Sequence, residues 1–153
     1  MIKKIIEDQG LRANSVHKGG DLEIWPVAQD GWDGGQIEIN PYLLEVKFTS
    51  GNRIYLSKTQ SDVARIWREN YIILVVENVS NLRDRLKEID EEISEEIIQL
   101  VVENSYIIEQ VHTKFVRIPN PDEVEPDVQG YWIKRRLWSG GNNILRWLKE
   151  TFD

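Results

Sequence analysis

The sequence predicts an α/β sandwich. Three observations carry this. The chain opens on an amphipathic stretch and then alternates apolar and polar residues in short runs. A segment with helical spacing follows, and directly after it come six consecutive apolar residues, Tyr71 to Val76. A short continuous apolar run of that kind is a strand buried on both faces, as in the middle of a helix-covered sheet.

Residues 1–9 form a short helix with Ile2, Ile5 and Ile6 on one side. "GLRANSVHKGGDLEIWPVA" reads as loop, strand, tight turn at Gly19-Gly20, and strand, with Leu22, Ile24 and Pro26 on one face. "AQDGWDGGQ" is a glycine-rich loop, "QIEIN" a short strand, and "YLLEVKFT" a longer one. "SGN" is a hairpin turn that sends "RIYL" back as the return strand. Ser57 and Gln60 have capping-box spacing for a helix whose buried face is Val63, Ile66 and Trp67.

Beyond residue 80, Leu82, Leu86, Ile89, Ile93 and Ile97 recur every three or four residues, giving one or two amphipathic helices. That stripe is either core or a dimer interface. "QVHTKFVRI" returns to a strand, "PNPDEVEPD" is an exposed acidic loop, and "YWIKRRLW" fits strand or helix. "NNILRWLKETF" closes the chain as a helix capped by Asn142 or Asn143.

Composition sets limits. With 153 residues and 41 % hydrophobic content, a single domain over residues 1–153 with its own core is expected. There is no cysteine, so no disulfide or thiolate metal site, which fits a reducing, cytoplasmic setting. No apolar run reaches the roughly 20 residues of a membrane span, so no membrane partner is expected. "MIKKII" runs straight into "EDQ" and is no signal peptide. His17 and His112 lack ligand partners at short spacing, so zinc or histidine-based catalysis is not expected.

The net charge of −7 argues against a nucleic-acid coating protein, but the charge is uneven. Acids dominate from Asp84 to Glu109. From Lys134 to Lys149 every charged residue is basic: Lys134, Arg135, Arg136, Arg146 and Lys149. This segment is either a phosphate-contacting surface or a solvated face with counter-charges nearby. Trp132, Trp138 and Trp147 lie among these cations as core residues or as base-stacking platforms.

The chemically loaded stretch is the predicted strand 42–49. Alternation turns Leu44, Val46 and Phe48 into a core and places Glu45, Lys47 and Thr49 together on the opposite face. A solvated ion pair explains Glu45 and Lys47 as well as a site does. However, Asp21 opens the neighbouring strand, where its carboxylate can meet Glu45. Two carboxylates facing one point repel unless a cation lies between them, and an all-oxygen site suits Mg2+ or Mn2+. Asp33, in "GWDGG", rivals Asp21 as the partner.

Asp21, then Glu45-Val46-Lys47, then a helix bearing Gln60, resembles the PD-(D/E)xK nuclease superfamily with its restriction-endonuclease-like fold. Within it, "GGDLEI", "LLEVKFTSG", "IYLSKTQSDVA" and "YIILVVENV" are similar, in order, to the NO VEIN C-terminal domain family. The resemblance covers about residues 15–80. It implies a restriction-endonuclease-like core over about 1–80, a central mixed sheet flanked by helices, with a C-terminal elaboration and extra helices over about 81–153.

It further implies a divalent-metal-dependent endonuclease hydrolysing DNA phosphodiester bonds, in a restriction or antiviral defence system. Asp21 and Glu45, with the Val46 carbonyl, hold Mg2+ or Mn2+ in this reading. Lys47 orients the attacking water or offsets phosphate charge. Gln60 holds the water or merely caps its helix, and Glu7 adds a metal ligand or is a surface acid. Lys134, Arg135, Arg136 and Arg146 are the expected nucleic-acid contacts, and a homodimer or larger defence complex the expected assembly. Family members that have lost catalysis imply an alternative: an inactive nuclease-fold module binding nucleic acid or a protein partner.

Overall fold

The computed structural model describes residues 1–16, 21–26, 40–79, 81–87, 95–115 and 119–152. Among them are helices α1 (Ile2–Glu7), α2 (Lys58–Trp67), α3 (Leu82–Lys87), α4 (Glu95–Glu103) and α5 (Ile144–Phe152). The strands are β1 (Arg12–Ser15), β2 (Leu22–Trp25), β3 (Tyr42–Thr49), β4 (Arg53–Ser57), β5 (Tyr71–Glu77), β6 (Ser105–Ile108), β7 (Val124–Asp127) and β8 (Gly130–Lys134).

Five strands form a mixed sheet in the order β1-β2-β3-β5-β6. β3 and β5 run parallel, with Glu45 opposite Ile73, and the other pairs are antiparallel. β5 reads as a continuous apolar run because both of its faces are covered. Ile72, Leu74 and Val76 face α1, α5 and the α3–α4 region, meeting Ile5, Ile6, Leu82, Val101 and Trp147. Tyr71, Ile73 and Val75 face a second core with Ala64 of α2 and Ile54, Leu56, Val124 and Ile133 of the remaining strands. Leu82 is buried and Ile97 packs against the first core, so these two members of the helical stripe serve folding. Ile89 and Ile93 lie outside the described residues.

Several expectations change. The segment after the "SGN" turn is a strand but not a hairpin partner of β3. Both edges of β3 are already occupied, by β2 and β5, so β4 leaves the sheet. It pairs with β8 in a second, three-stranded sheet ordered β4-β8-β7. Thr49 ties the turn, donating from Oγ1 to the Arg53 carbonyl (2.9 Å) and accepting from Gly51 N (3.1 Å). On α2 the face through Ser57 and Gln60 continues to the buried Ser61 and Ala64, so Ile66 points away and is 78 % exposed.

β6 falls at 105–108, where the helical stripe had masked a strand, and Val111–Lys114 is a 3-10 turn instead of a strand. The acidic "PNPDEVEPD" segment supplies β7, with Val124 buried. Asn143 caps α5 through Oδ1, which accepts from Arg146 N (2.9 Å). The "QIEIN" expectation falls mostly on residues 36–39, outside the described residues.

Candidate active site at the β2 and β3 junction

β2 begins its pairing with β3 at Leu22 opposite Leu44. One residue before, Asp21 N donates to the Leu44 carbonyl (3.0 Å). The ladder stops there, and the Asp21 side chain takes over: its Oδ2 accepts from Val46 N at 2.7 Å. In an antiparallel pair one residue's N–H and C=O face the same neighbour. The Val46 carbonyl therefore lies on the same sheet edge as the Asp21 carboxylate.

Alternation places Glu45 and Lys47 on the face that carries Leu43 and Tyr71. That face is covered by α2 and the second sheet, so Glu45 is only 4 % exposed. Lys47 Nζ lies 3.5 Å from Glu45 Oε1. Gln60 joins them, donating from Nε2 to Glu45 Oε1 (2.6 Å) and accepting from Lys47 Nζ at its Oε1 (3.1 Å). The same Oε1 accepts from Ser57 N (2.9 Å) while Ser57 Oγ accepts from Gln60 N (3.1 Å), which completes the capping box. The capping-box reading of Gln60 is the one observed, and the cap fixes the amide that meets the Glu45–Lys47 pair.

Burial, then the nearby Asp21 charge, pushes the Glu45 carboxyl up to about 7, against the pull of Lys47. Tyr71 was read from sequence only as the start of an apolar strand. It is fully buried, and its phenol is held protonated by burial first and then by the Glu45 and Asp21 charges. Its signal was local and apolar; its neighbours at the site come from the parallel pairing of β3 and β5.

Asp21, Glu45 and the Val46 carbonyl make an all-oxygen donor set, and a buried carboxylate beside a second one is an environment that a divalent cation relieves. Mg2+ takes one or two carboxylates and keeps several waters, so this set fits Mg2+ or Mn2+. Among the described residues no group of three or more His, Cys, Asp or Glu is placed to hold a metal, so Glu7 does not complete a carboxylate triad. Glu7 instead pairs with Lys3 on α1 (3.9 Å). Asp33 and His17 lie outside the described residues.

The basic residues divide. Lys134, Arg135 and Arg136 line one open cavity with Asn52, Arg53, Asp122 and Glu125. Each already has a partner. Lys134 Nζ donates to the Pro121 carbonyl (2.7 Å), Arg135 Nε to Glu77 (2.6 Å) and Arg136 to Asp122 (3.3 Å). Arg146 lies on α5, outside this group, bonded to Glu150 (3.0 Å). Trp138 and Trp147 are buried core residues, whereas Trp132 is half-exposed. No helix among the described residues is long and apolar enough to cross a membrane.

No family model and no curated protein matches the sequence. Among solved structures, the fold is similar to that of Hjc, a Holliday junction resolvase from the archaeal hyperthermophile Archaeoglobus fulgidus. The TM-score is 0.50 at 12 % identity, over 99 % of this chain and 93 % of that one. The fold class is therefore the expected restriction-endonuclease-like α/β core, a central mixed sheet with helices on it. The narrower resemblance to the NO VEIN C-terminal domain is not supported.

Proposed function

We propose that the chain is a divalent-metal-dependent endonuclease acting on DNA phosphodiester bonds, with its active site at Asp21, Glu45, Val46 and Lys47. The observation that carries this reading is the placement of the Asp21 carboxylate on Val46 N, between the Glu45 and Lys47 positions, on a fold shared with a Holliday junction resolvase. Asp21, Glu45 and the Val46 carbonyl would hold Mg2+ or Mn2+. The chemistry supplied by an ion held there would be a water of lowered pKa and a polarised scissile phosphate.

Lys47, whose Nζ lies 3.5 Å from Glu45, would orient the water and offset charge that builds on the phosphate. Gln60 fixes the rotamers of Glu45 and Lys47 from the rigid first turn of α2. In this reading the nuclease serves restriction or antiviral defence, with DNA as partner and a homodimer or larger complex as its working form.

A second reading has its own observation. Glu45 Oε1 already takes both the Gln60 amide and Lys47, and burial favours the neutral acid. This favours an inactive nuclease-fold module that binds nucleic acid or a protein. Incubation with plasmid DNA and Mg2+ or Mn2+ separates the two. The wild type should nick or linearise the plasmid, and Lys47→Ala and Asp21→Ala should not. Equal cutting by all three proteins, or none by the wild type with either ion, would overturn the nuclease reading.

A further inference from the structure

The three-stranded sheet has a face that the core does not use. On β4, Ile54 and Leu56 point inward, leaving Arg53 and Tyr55 outside; on β8, Ile133 points inward, leaving Trp132 and Lys134 outside. The register sets Tyr55 opposite Trp132 and Arg53 opposite Lys134. The Tyr55 and Trp132 rings stand 4.9 Å apart, tilted by 58°. The Arg53 guanidinium lies 3.9 Å from the centre of the Trp132 ring. Arg53 is exposed, and both rings are half-buried. The result is a solvent-facing ladder of two rings and one flat cation.

Beside it opens the cavity of about 470 Å³ that Arg53, Lys134, Arg135 and Arg136 line, against the carboxylates of Asp122 and Glu125. Arg135 is committed to Glu77. Arg136 is not held as firmly: its pair with Asp122 leaves both side chains about 70 % exposed (72 % and 67 %). Such a pair contributes little and exchanges readily for a phosphate, which guanidinium meets with two parallel donors.

Flat ring faces next to solvent-exposed cations match the two parts of a nucleic-acid strand. Bases stack on aromatic rings and guanidinium planes whatever their identity, and phosphates take the cations. In a duplex the base faces are hidden against one another, so this ladder is useful only to unpaired bases. β4 carries the ladder at Arg53 and Tyr55 and ends two residues later at Ser57, the cap of α2 whose Gln60 meets Glu45 and Lys47.

We propose that this face binds an unpaired DNA segment, with bases on Trp132, Tyr55 and the Arg53 plane, and phosphates on Lys134 and Arg136. The choice of nucleic acid rests on the nuclease-fold reading above, and the inference adds a substrate class to it: DNA with a single-stranded portion.

The test is fluorescence anisotropy of a labelled oligothymidylate, and of a duplex of equal length, with the full chain in chelator. The wild type should prefer the single strand. Trp132→Ala and Arg53→Ala should each weaken that binding by roughly tenfold, while Trp132→Phe, which keeps a ring, should stay within about threefold. Arg53 is exposed, so its variant decides the matter even if Trp132→Ala melts early.

Wild-type affinity in both Arg53→Ala and a folded Trp132→Ala, a preference for duplex, or no binding at all would overturn the inference; the last outcome would leave the face to a protein partner. The plasmid assay reads the other question independently. Cutting by a wild type whose binding ignores Trp132 and Arg53 sinks this inference and leaves the nuclease standing. Ring-dependent binding without cutting does the reverse.

Discussion

Gln60 Nε2 donates to Glu45 Oε1 at 2.6 Å, so the third residue of a helix holds the buried acid of a neighbouring strand. The same amide oxygen serves the cap and Lys47. Gln60 and Ser57 are therefore unequal members of one capping box. Ser57→Ala removes one acceptor at the helix start and should cost about 1 kcal/mol. Gln60→Ala removes the return bond and also a partner of each of two part-buried charged groups, so about 2–3 kcal/mol is expected. Urea unfolding of both variants at neutral pH checks this. Equal losses would mean that the amide matters only as a cap. In the plasmid assay Ser57→Ala should retain most of the activity and Gln60→Ala should not.

The Asp21 charge is one cause of the high Glu45 pKa, second to burial. Asp21→Asn removes the charge but keeps an oxygen for Val46 N. The Glu45 carboxyl should then titrate below about 7, with burial still holding it above its ordinary range. Carboxyl-carbon NMR of both proteins without metal reads this directly. The sign for stability follows. A carboxyl raised in the folded state favours folding below its unfolded pKa, and that contribution is lost as pH rises through about 7. Over that window the metal-free wild type should lose more stability than Asp21→Asn. An unmoved Glu45 titration would separate the two carboxylates electrically and remove the case for a shared ion.

Glu77 shows the opposite shift. Its carboxyl is held below the ordinary range by the hydrogen bond from Arg135, helped by Trp138 Nε1 (3.2 Å). A lowered carboxyl contributes stability above its unfolded pKa and loses it as pH falls through the folded value. Glu77→Gln should therefore cost about 1 kcal/mol at neutral pH, a charge-assisted bond discounted for the half-exposed guanidinium. The gap to the wild type should close below about pH 4. Paired thermal melts across that range test it; a gap constant with pH would assign the effect to packing.

Legibility in the sequence followed the range of the interactions. The bounds of β3, the buried run of β5 and the Ser57–Gln60 cap are local patterns, and the structure returns them as read. The partner of β4 lies in residues 130–134, and nothing local to "RIYL" names it. β6 was hidden because "SYII" follows an apolar helical stripe with no Gly or Pro between them. The same holds at the site. Alternation placed Glu45 beside Lys47, but not the cover that buries them, since α2 and the second sheet supply it. Nor could spacing show that Arg135 belongs to Glu77 or Arg136 to Asp122. Charge runs report composition; pairing is decided by the fold.

Gly130 leaves no room for a side chain. It opens β8 opposite Ser57, and a Cβ there would collide with the Leu56 carbonyl and the Tyr55 ring. The ring can turn aside, but the carbonyl belongs to the β4 backbone and can move only with its strand. Gly130→Ala should therefore destabilise the fold by about 1–3 kcal/mol, the range for a forced backbone shift. It should also disturb the Tyr55–Trp132 contact, whose rings stand 4.9 Å apart. Thermal melting reads the first effect and near-ultraviolet circular dichroism, compared with Trp132→Phe, reads the second. A Gly130→Ala protein with wild-type melting and an unchanged aromatic spectrum would mean that β4 and β8 are not packed this closely. The stacking face proposed above would then lose its geometry, while the Asp21–Glu45–Lys47 site on the main sheet would keep its own.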